Sequence, residues 1–337
     1  MNEVTETKIS FLGDGGWGTT LAVHLAKKNF SVKLWGAFND NVQAMQREHE
    51  NKKYLPGIEL PDNLTITGDL PAAVTETNII VLSTPSQYLE GLLKQVKSLL
   101  TGTNRNVIFL SVVKGIEKKH LSRMSELVEK YLGKVAFAVL SGPTIAIEVA
   151  QGIPSSAVIA SKNKTVAAKL QKIFNSATFR VYTNTDVIGV ELGGSLKNVI
   201  AIACGVCDGL GFGANTKSAL LTRGLAEMSR LGEAMGAKPR TFSGLSGLGD
   251  LVTTCFSPKS RNRTVGEKLG KGDNIETILE NMVTVAEGIE TSKAVQKLAR
   301  RYQIDMPIAT EVFRIIYKGK DPLKAMTDLM TRSLKSE

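Results

Sequence analysis

The chain is poor in the residues that most often announce chemistry. Its 337 residues hold three histidines and three cysteines, and only 6% are aromatic. His24, His49 and His120 all fall on predicted helices of the first half. Such positions lie away from the carboxyl ends of strands, where open α/β sheets bind ligands. A histidine proton shuttle is therefore not expected, and any acid/base must be another residue type. Cys204 and Cys207 form a C-x-x-C, with Cys255 apart. A structural zinc site needs four ligands, and no second Cys/His pair lies near, so these read as buried thiols in a reducing compartment. No apolar run reaches the ~18–20 residues of a membrane helix. The start of the chain, residues 1–8, is polar and acidic and lacks the basic and apolar stretches of a signal peptide. A cytoplasmic protein with no membrane insertion is expected. The net charge of +10 is spread over scattered Lys and Arg without a stacking-aromatic motif. That argues against nucleic acid as partner and for small phosphorylated ligands, which a basic cleft concentrates.

What is present is a strong alternation. Strands are expected over 8–12, 31–35, 78–83, 106–112, 135–140, 157–160 and 180–182, with helices over 17–28 and 39–50 and between the later strands. Strands alternating with helices predict a Rossmann-type, doubly wound, mostly parallel sheet. The pattern changes near Asp186. Beyond it only helices are expected, over 187–206, 218–235, 275–281, 291–302 and 308–317. The fold class is therefore α/β, with a dinucleotide-binding domain over 1–188 and an all-α domain over 189–337. Residues 241–263, rich in Gly, Ser and basic side chains, read as one long loop.

The first expected strand runs into Gly13-Asp14-Gly15-Gly16-Trp17-Gly18 and a helix. This is G-x-G-x-x-G in the setting it requires. One glycine makes the tight turn, one lets backbone approach a pyrophosphate, and one lets helix and strand pack closely. A P-loop fits the glycine spacing, but Thr19 and Thr20 stand where it needs Lys and Ser/Thr. NAD-specific folds usually place Asp or Glu after the second strand for the ribose hydroxyls. Gly36 stands there, followed by Ala37 and Phe38 with no Arg. Either NADH or NADPH is expected as cofactor.

With histidine set aside, lysine becomes the candidate acid/base. Lys197 lies in an almost wholly apolar stretch and shares a helical face with Gly193, Gly194, Ile200 and Ala201. Burial lowers a lysine's pKa toward the range useful in proton transfer. Lys114 follows a strand, and Ser141-Gly142-Pro143-Thr144 stands at the next strand end, where it is expected to start a helix. Asp250 and Ser260-Arg261-Asn262-Arg263 lie in the expected loop. Arg beside Ser and Asn donors suits a phosphate monoester, although a carboxylate substrate is also served by Arg261. A dinucleotide sensor without turnover is a third possibility, against which a buried lysine argues.

Taken together, the glycine turn, Leu34-Trp35-Gly36, Lys53-Tyr54-Leu55-Pro56-Gly57, Val113-Lys114-Gly115, Ser141-Gly142-Pro143-Thr144, Leu192-Gly193-Gly194-Ser195-Leu196-Lys197-Asn198, Gly247-Leu248-Gly249-Asp250 and Ala286-Glu287-Gly288 resemble bacterial-type NAD(P)-dependent glycerol-3-phosphate dehydrogenases in residues and order. The resemblance implies interconversion of dihydroxyacetone phosphate and glycerol 3-phosphate, feeding phospholipid synthesis, by a homodimer. It implies Lys197 as proton acceptor and donor, and Lys114, Gly142, Thr144, Lys197, Asp250, Ser260, Arg261 and Asn262 as substrate contacts. Gly13, Gly15, Gly16, Trp17, Gly18, Ala37, Phe38, Lys114, Ala146, Arg261, Val285 and Glu287 fall at cofactor contacts. The chain departs from the family at Gly16, often Ser, at the Ala37-Phe38 pair, usually polar or basic, and at Ile147, usually Lys.

Overall fold

Short apolar runs become strands here because sheet and helices bury them on both faces. Ile79–Leu82 and Ile108–Ser111 are buried along their whole length. The computed structural model describes residues 7–100, 106–282, 285–334 and 336. The reading of the N-terminal residues 1–6 lies outside them.

The chain divides into two units, Met1–Lys114 with Ser122–Glu191, and Gly115–Leu121 with Leu192–Glu337. The first unit runs β1 (Lys8–Leu12), α1 (Gly16–Ala26), β2 (Ser31–Trp35), α2 (Asn39–Glu48), β3 (Leu64–Thr67), α3 (Leu70–Val74), β4 (Ile79–Leu82), α4 (Ser86–Leu99), β5 (Ile108–Ser111), α5 (Met124–Leu132), β6 (Ala136–Ser141), α6 (Ala146–Ala150), β7 (Ser155–Ala160), α7 (Lys164–Phe174) and β8 (Phe179–Asn184). One eight-stranded sheet results, in the order β3-β2-β1-β4-β5-β6-β7-β8. Every pairing is parallel except β6 with β7. The order reverses between β1 and β4, and such a switch point opens a crevice at the strands' carboxyl ends. The glycine turn leaves β1 at that point, and Ser83 leaves β4 beside it.

Helix α8 (Val187–Gly209) spans the division between the units. The second unit continues with α9 (Ala214–Ala234), α10 (Pro239–Phe242), a π-helical turn over Leu245–Gly249, α11 (Asp250–Phe256), α12 (Arg261–Gly270), α13 (Ile275–Glu280), α14 (Glu287–Tyr302), α15 (Pro307–Lys318) and α16 (Pro322–Met330). No strand occurs in it among the described residues. Small residues let α8 and α12 touch backbone to backbone. A Cβ on Gly266 would fall 2.0 Å from the Ile202 carbonyl, and one on Gly205 2.0 Å from that of Arg263. Glu227 on α9 is buried and accepts the Ile308 and Ala309 N–H groups at the start of α15, at 2.7 and 3.2 Å. Burial pushes its carboxyl up to about 7, against the pull of those two donors.

Several sequence expectations are corrected. The strand β3 and helix α3 carry no long apolar run and escape the pattern; pairing with β2 makes the strand. Residues 241–263 are not one loop but short helices, because Phe242, Leu251 and Cys255 turn inward and are buried. His49 caps α2 in a left-handed conformation rather than lying within it. His120 sits in a turn of the second unit, not on a helix of the first. The Ser141–Thr144 stretch does not itself begin a helix, since α6 starts at Ala146. One described helix is long and apolar enough to cross a membrane by length and composition, although Glu191, Lys197 and Asn198 interrupt its apolar run. It is α8, and 94% of its most apolar 18-residue stretch is buried within the protein. All three cysteines are buried and free, so the reading as buried thiols holds.

Candidate active site

In the first unit the glycine turn is fixed by what packs on it. Gly13 has φ +129°, and a Cβ there would lie 2.7 Å from backbone atoms of Ser83 and Thr84. Gly18 faces the Gly13 carbonyl at a distance that would leave a Cβ only 2.3 Å away. Both glycines are demanded by the protein itself. Gly15 is different, since a Cβ there would meet nothing within 4 Å. The protein leaves that space open at the N-terminus of α1, where backbone N–H groups and the helix dipole favour an anion. A dinucleotide pyrophosphate fits this cradle. Gly16 also has a local reason: a Cβ would stand 2.6 Å from the Tyr54 carbonyl. Ala146 is brought beside the turn, its carbonyl within 3.1 Å of the Thr20 hydroxyl.

Trp17 packs edge-on against Phe179, and its buried Nε1–H has no acceptor among the described residues. Phe38 is 64% exposed just past β2, and Ala37 beside it is exposed. Asp14 is buried within the turn. The Asn41 amide donates to its Oδ2 at 2.7 Å, and Asn51 donates to its carbonyl at 2.7 Å. Burial raises the Asp14 pKa, while Asn41 and, more weakly, Lys53 pull it down. Along the same sheet edge Lys114 donates to the Gly142 carbonyl at 3.0 Å and the Thr144 hydroxyl at 3.4 Å. The Ser141 hydroxyl is buried there without a partner among the described residues.

In the second unit the geometry is built from side chains. Lys197 on α8 is 6% exposed. Its Nζ lies 3.0 Å from Asp250 Oδ1 and 2.5 Å from Thr254 Oγ1 on α11. Thr254 has one hydroxyl proton and directs it to the Asp250 carbonyl oxygen at 2.6 Å, so toward Lys197 it accepts. The lysine therefore does not reach outward to solvent as surface lysines do. Gly193, on the same face, admits the chain at Ser246, whose carbonyl would be 2.6 Å from a Cβ.

Ser260 caps α12 by accepting the Arg263 N–H at 3.2 Å. Arg261 follows as an exposed residue in the first turn. Glu287, at the start of α14, favours its charged form, and a guanidinium stays charged throughout. Asn262 is buried and already engaged. It donates to Asn198 Oδ1 at 2.9 Å and accepts the Gly288 N–H at 3.0 Å. Arg263 donates to Asp208 at 2.6 Å, and Lys217 pairs with the same carboxylate at 2.8 Å. Val285 is exposed just before α14.

Sequence reasoning missed Ser83, Asn51, Asn198 and Thr254. Ser83 donates to the Gly13 carbonyl at 2.8 Å. None belongs to a spacing motif that marks a partner 30 to 70 positions away. Asn198 alone carried a signal, as a polar residue inside an apolar helix.

The NAD-dependent glycerol-3-phosphate dehydrogenase N-terminal model matches residues 8–167, and the C-terminal model of the same family matches 186–327. The chain is 47% identical over 333 residues to a glycerol-3-phosphate dehydrogenase [NAD(P)+] of Prosthecochloris aestuarii, covering 98% of this chain and 99% of that one. It is equally similar, at 47%, to the enzyme of that name from Geobacter sulfurreducens, over 98% of both. A crystal structure of glycerol-3-phosphate dehydrogenase from Coxiella burnetii superposes with a TM-score of 0.94 at 39% identity, over 97% of this chain and all of that one.

Proposed function

The chain belongs to the NAD-dependent glycerol-3-phosphate dehydrogenase family, and from that premise we propose that it reduces dihydroxyacetone phosphate to sn-glycerol 3-phosphate, reversibly, with Lys197 as acid/base. The observation that carries the reading is the buried ammonium of Lys197 held between Asp250 and Thr254. A cation taken out of water needs compensation, and Asp250 supplies it. The two partners also fix the direction in which Nζ presents a proton.

The labour divides along the chain, with residues 1–188 carrying most of the dinucleotide contacts and 189–337 supplying the acid/base and most of the substrate contacts. The open cradle at Gly15, flanked by Gly13, Gly16, Trp17 and Gly18, receives the pyrophosphate. Ala37 and Phe38 flank the adenosine end, with Ala146, Val285, Glu287 and Arg261 as further cofactor contacts. Lys114, with Gly142 and Thr144, presents a cation and polar groups to the substrate. Ser260 and Arg261 offer the phosphate a helix N-terminus and a fork of donors. Asn262, tied to Asn198 and Gly288, sets the position of that turn as well as contacting substrate.

When bound, the reduced nicotinamide supplies a hydride to C2 of the ketone. Lys197 donates a proton to the C2 oxygen in reduction and takes it back in oxidation. Asp250 and Thr254 hold the nitrogen in place through both states. We assign the activity to the cytoplasm, to glycerophospholipid supply and to a homodimer, as the family resemblance implies. Purified protein oxidises NADH or NADPH only when dihydroxyacetone phosphate is added; no turnover across pH and both cofactors overturns the reading. Light scattering should return about twice the 36.3 kDa chain mass.

A further inference from the structure

Position 36 follows β2, where folds of this type place the acidic residue that reads the adenosine ribose. Gly36 has no side chain, yet the place is filled. A Cβ on Gly36 would stand 2.8 Å from Asp14 Oδ2 and 3.0 Å from Asp14 Cγ. A carboxylate from the glycine turn thus stands at the end of β2. We propose that Asp14 is the cofactor-discriminating residue of this enzyme, accepting the 2′-hydroxyl of NADH and repelling the 2′-phosphate of NADPH. The proposal rests on the dinucleotide-binding reading of the first unit.

Three features support the role. Asp14 is held in place: Asn51 and Thr19 both donate to its carbonyl, at 2.7 and 3.0 Å, and Asn41 donates to its Oδ2. It also keeps acceptor capacity. A carboxylate offers about four lone-pair sites, and Asn41 with Asp14's own N–H uses two. Finally, Asp14 is 7% exposed, and a buried charge is screened far less by salt than an exposed one. Asn41 and the cation Lys53 favour its charged form against burial. Lys53 also reaches over the Phe38 ring, 5.8 Å from its centroid. Without Asp14, that lysine would lose the carboxylate it acts on and favour a phosphate.

Direct binding tests this without turnover. NADH and NADPH are titrated into the protein and quenching of its two tryptophans is read. Wild type should bind NADH at least about tenfold more tightly than NADPH. Asp14→Ala and Asp14→Asn should each narrow that ratio about tenfold or more, chiefly by tightening NADPH. In the Asp14→Ala background, Lys53→Ala should remove most of the gain. Equal affinities in wild type, or ratios unmoved by both variants to within about twofold, overturn the proposal. If neither variant folds by circular dichroism, the wild-type ratio decides alone. Preferential NADH binding without ketone reduction would refute the proposed activity and leave this assignment standing.

Discussion

The two units arrive at a binding site by opposite means. The first is built from backbone and from side chains left out: Gly13 and Gly18 exist because other atoms press on them, and Gly15 because nothing does. The second is built from charges that neutralise one another, Lys197 with Asp250 and Asp208 with Lys217 and Arg263. A dinucleotide is bound largely through its phosphates, which backbone N–H groups serve well. Proton transfer needs an ionisable atom, and an ionisable atom out of water needs a partner. The chemistry proposed for each unit thus matches its building material.

The comparison breaks most visibly at Lys197. Lys197→Ala should lower kcat by about 10²–10⁴-fold while NADH affinity, measured by fluorescence titration, stays within about twofold. A loss under tenfold would remove the lysine from its role. Asp250→Asn comes next, because it takes the carboxylate from a buried ammonium. Unfolding in urea should show a loss of about 3–5 kcal/mol, accompanied by reduced kcat. An unchanged midpoint would mean the pair is solvated.

Two glycines sharpen the contrast within the first unit. Gly13→Ala forces a side chain into a positive-φ position against Ser83, so stability should fall by about 3 kcal/mol. Gly15→Ala should leave the thermal midpoint unmoved and weaken NADH binding tenfold or more. If Gly15→Ala binds normally, the open space is not the cradle.

The last effect is spread over several pH units. The folded Glu227 carboxyl, pushed up to about 7, lies above its ordinary value of 4.5, so the folded chain holds a proton the unfolded chain has lost. Stability therefore falls as pH rises from about 4.5 to about 7 and is level beyond, by up to about 3 kcal/mol. Glu227→Gln should flatten that slope in denaturation curves at pH 5 and pH 8. A parallel slope in the variant would place the titration elsewhere.

Much of the first unit was legible because its signals are local. A strand, a turn and a helix follow one another in the sequence, and glycine at a fixed spacing reports backbone geometry directly. β3 was illegible because its pairing with β2, not its own composition, makes it a strand. In the second unit Lys197 stood out as a charge within an apolar helix. Its partners did not, since Asp250 and Thr254 lie 53 and 57 positions away. Residues 241–263 misled for a related reason. Gly and Ser there look like loop, but Gly193 and Gly247 let chains approach so closely that short helical turns pack. Asn262 was read as a ligand for the substrate, and its bonds to Asn198 and Gly288 add a structural task that spacing could not reveal.

The sequence by itself determined the doubly wound sheet, the all-helical remainder and the dinucleotide turn, because each is written in periodicity or in contiguous residues. It also exposed the scarcity of histidine, which left lysine as the candidate acid/base. Only the tertiary structure decided what stands beside that lysine, and what fills the space at Gly36. Both are contacts across tens of residues, and a linear pattern carries no record of which distant carboxylate the fold brings home.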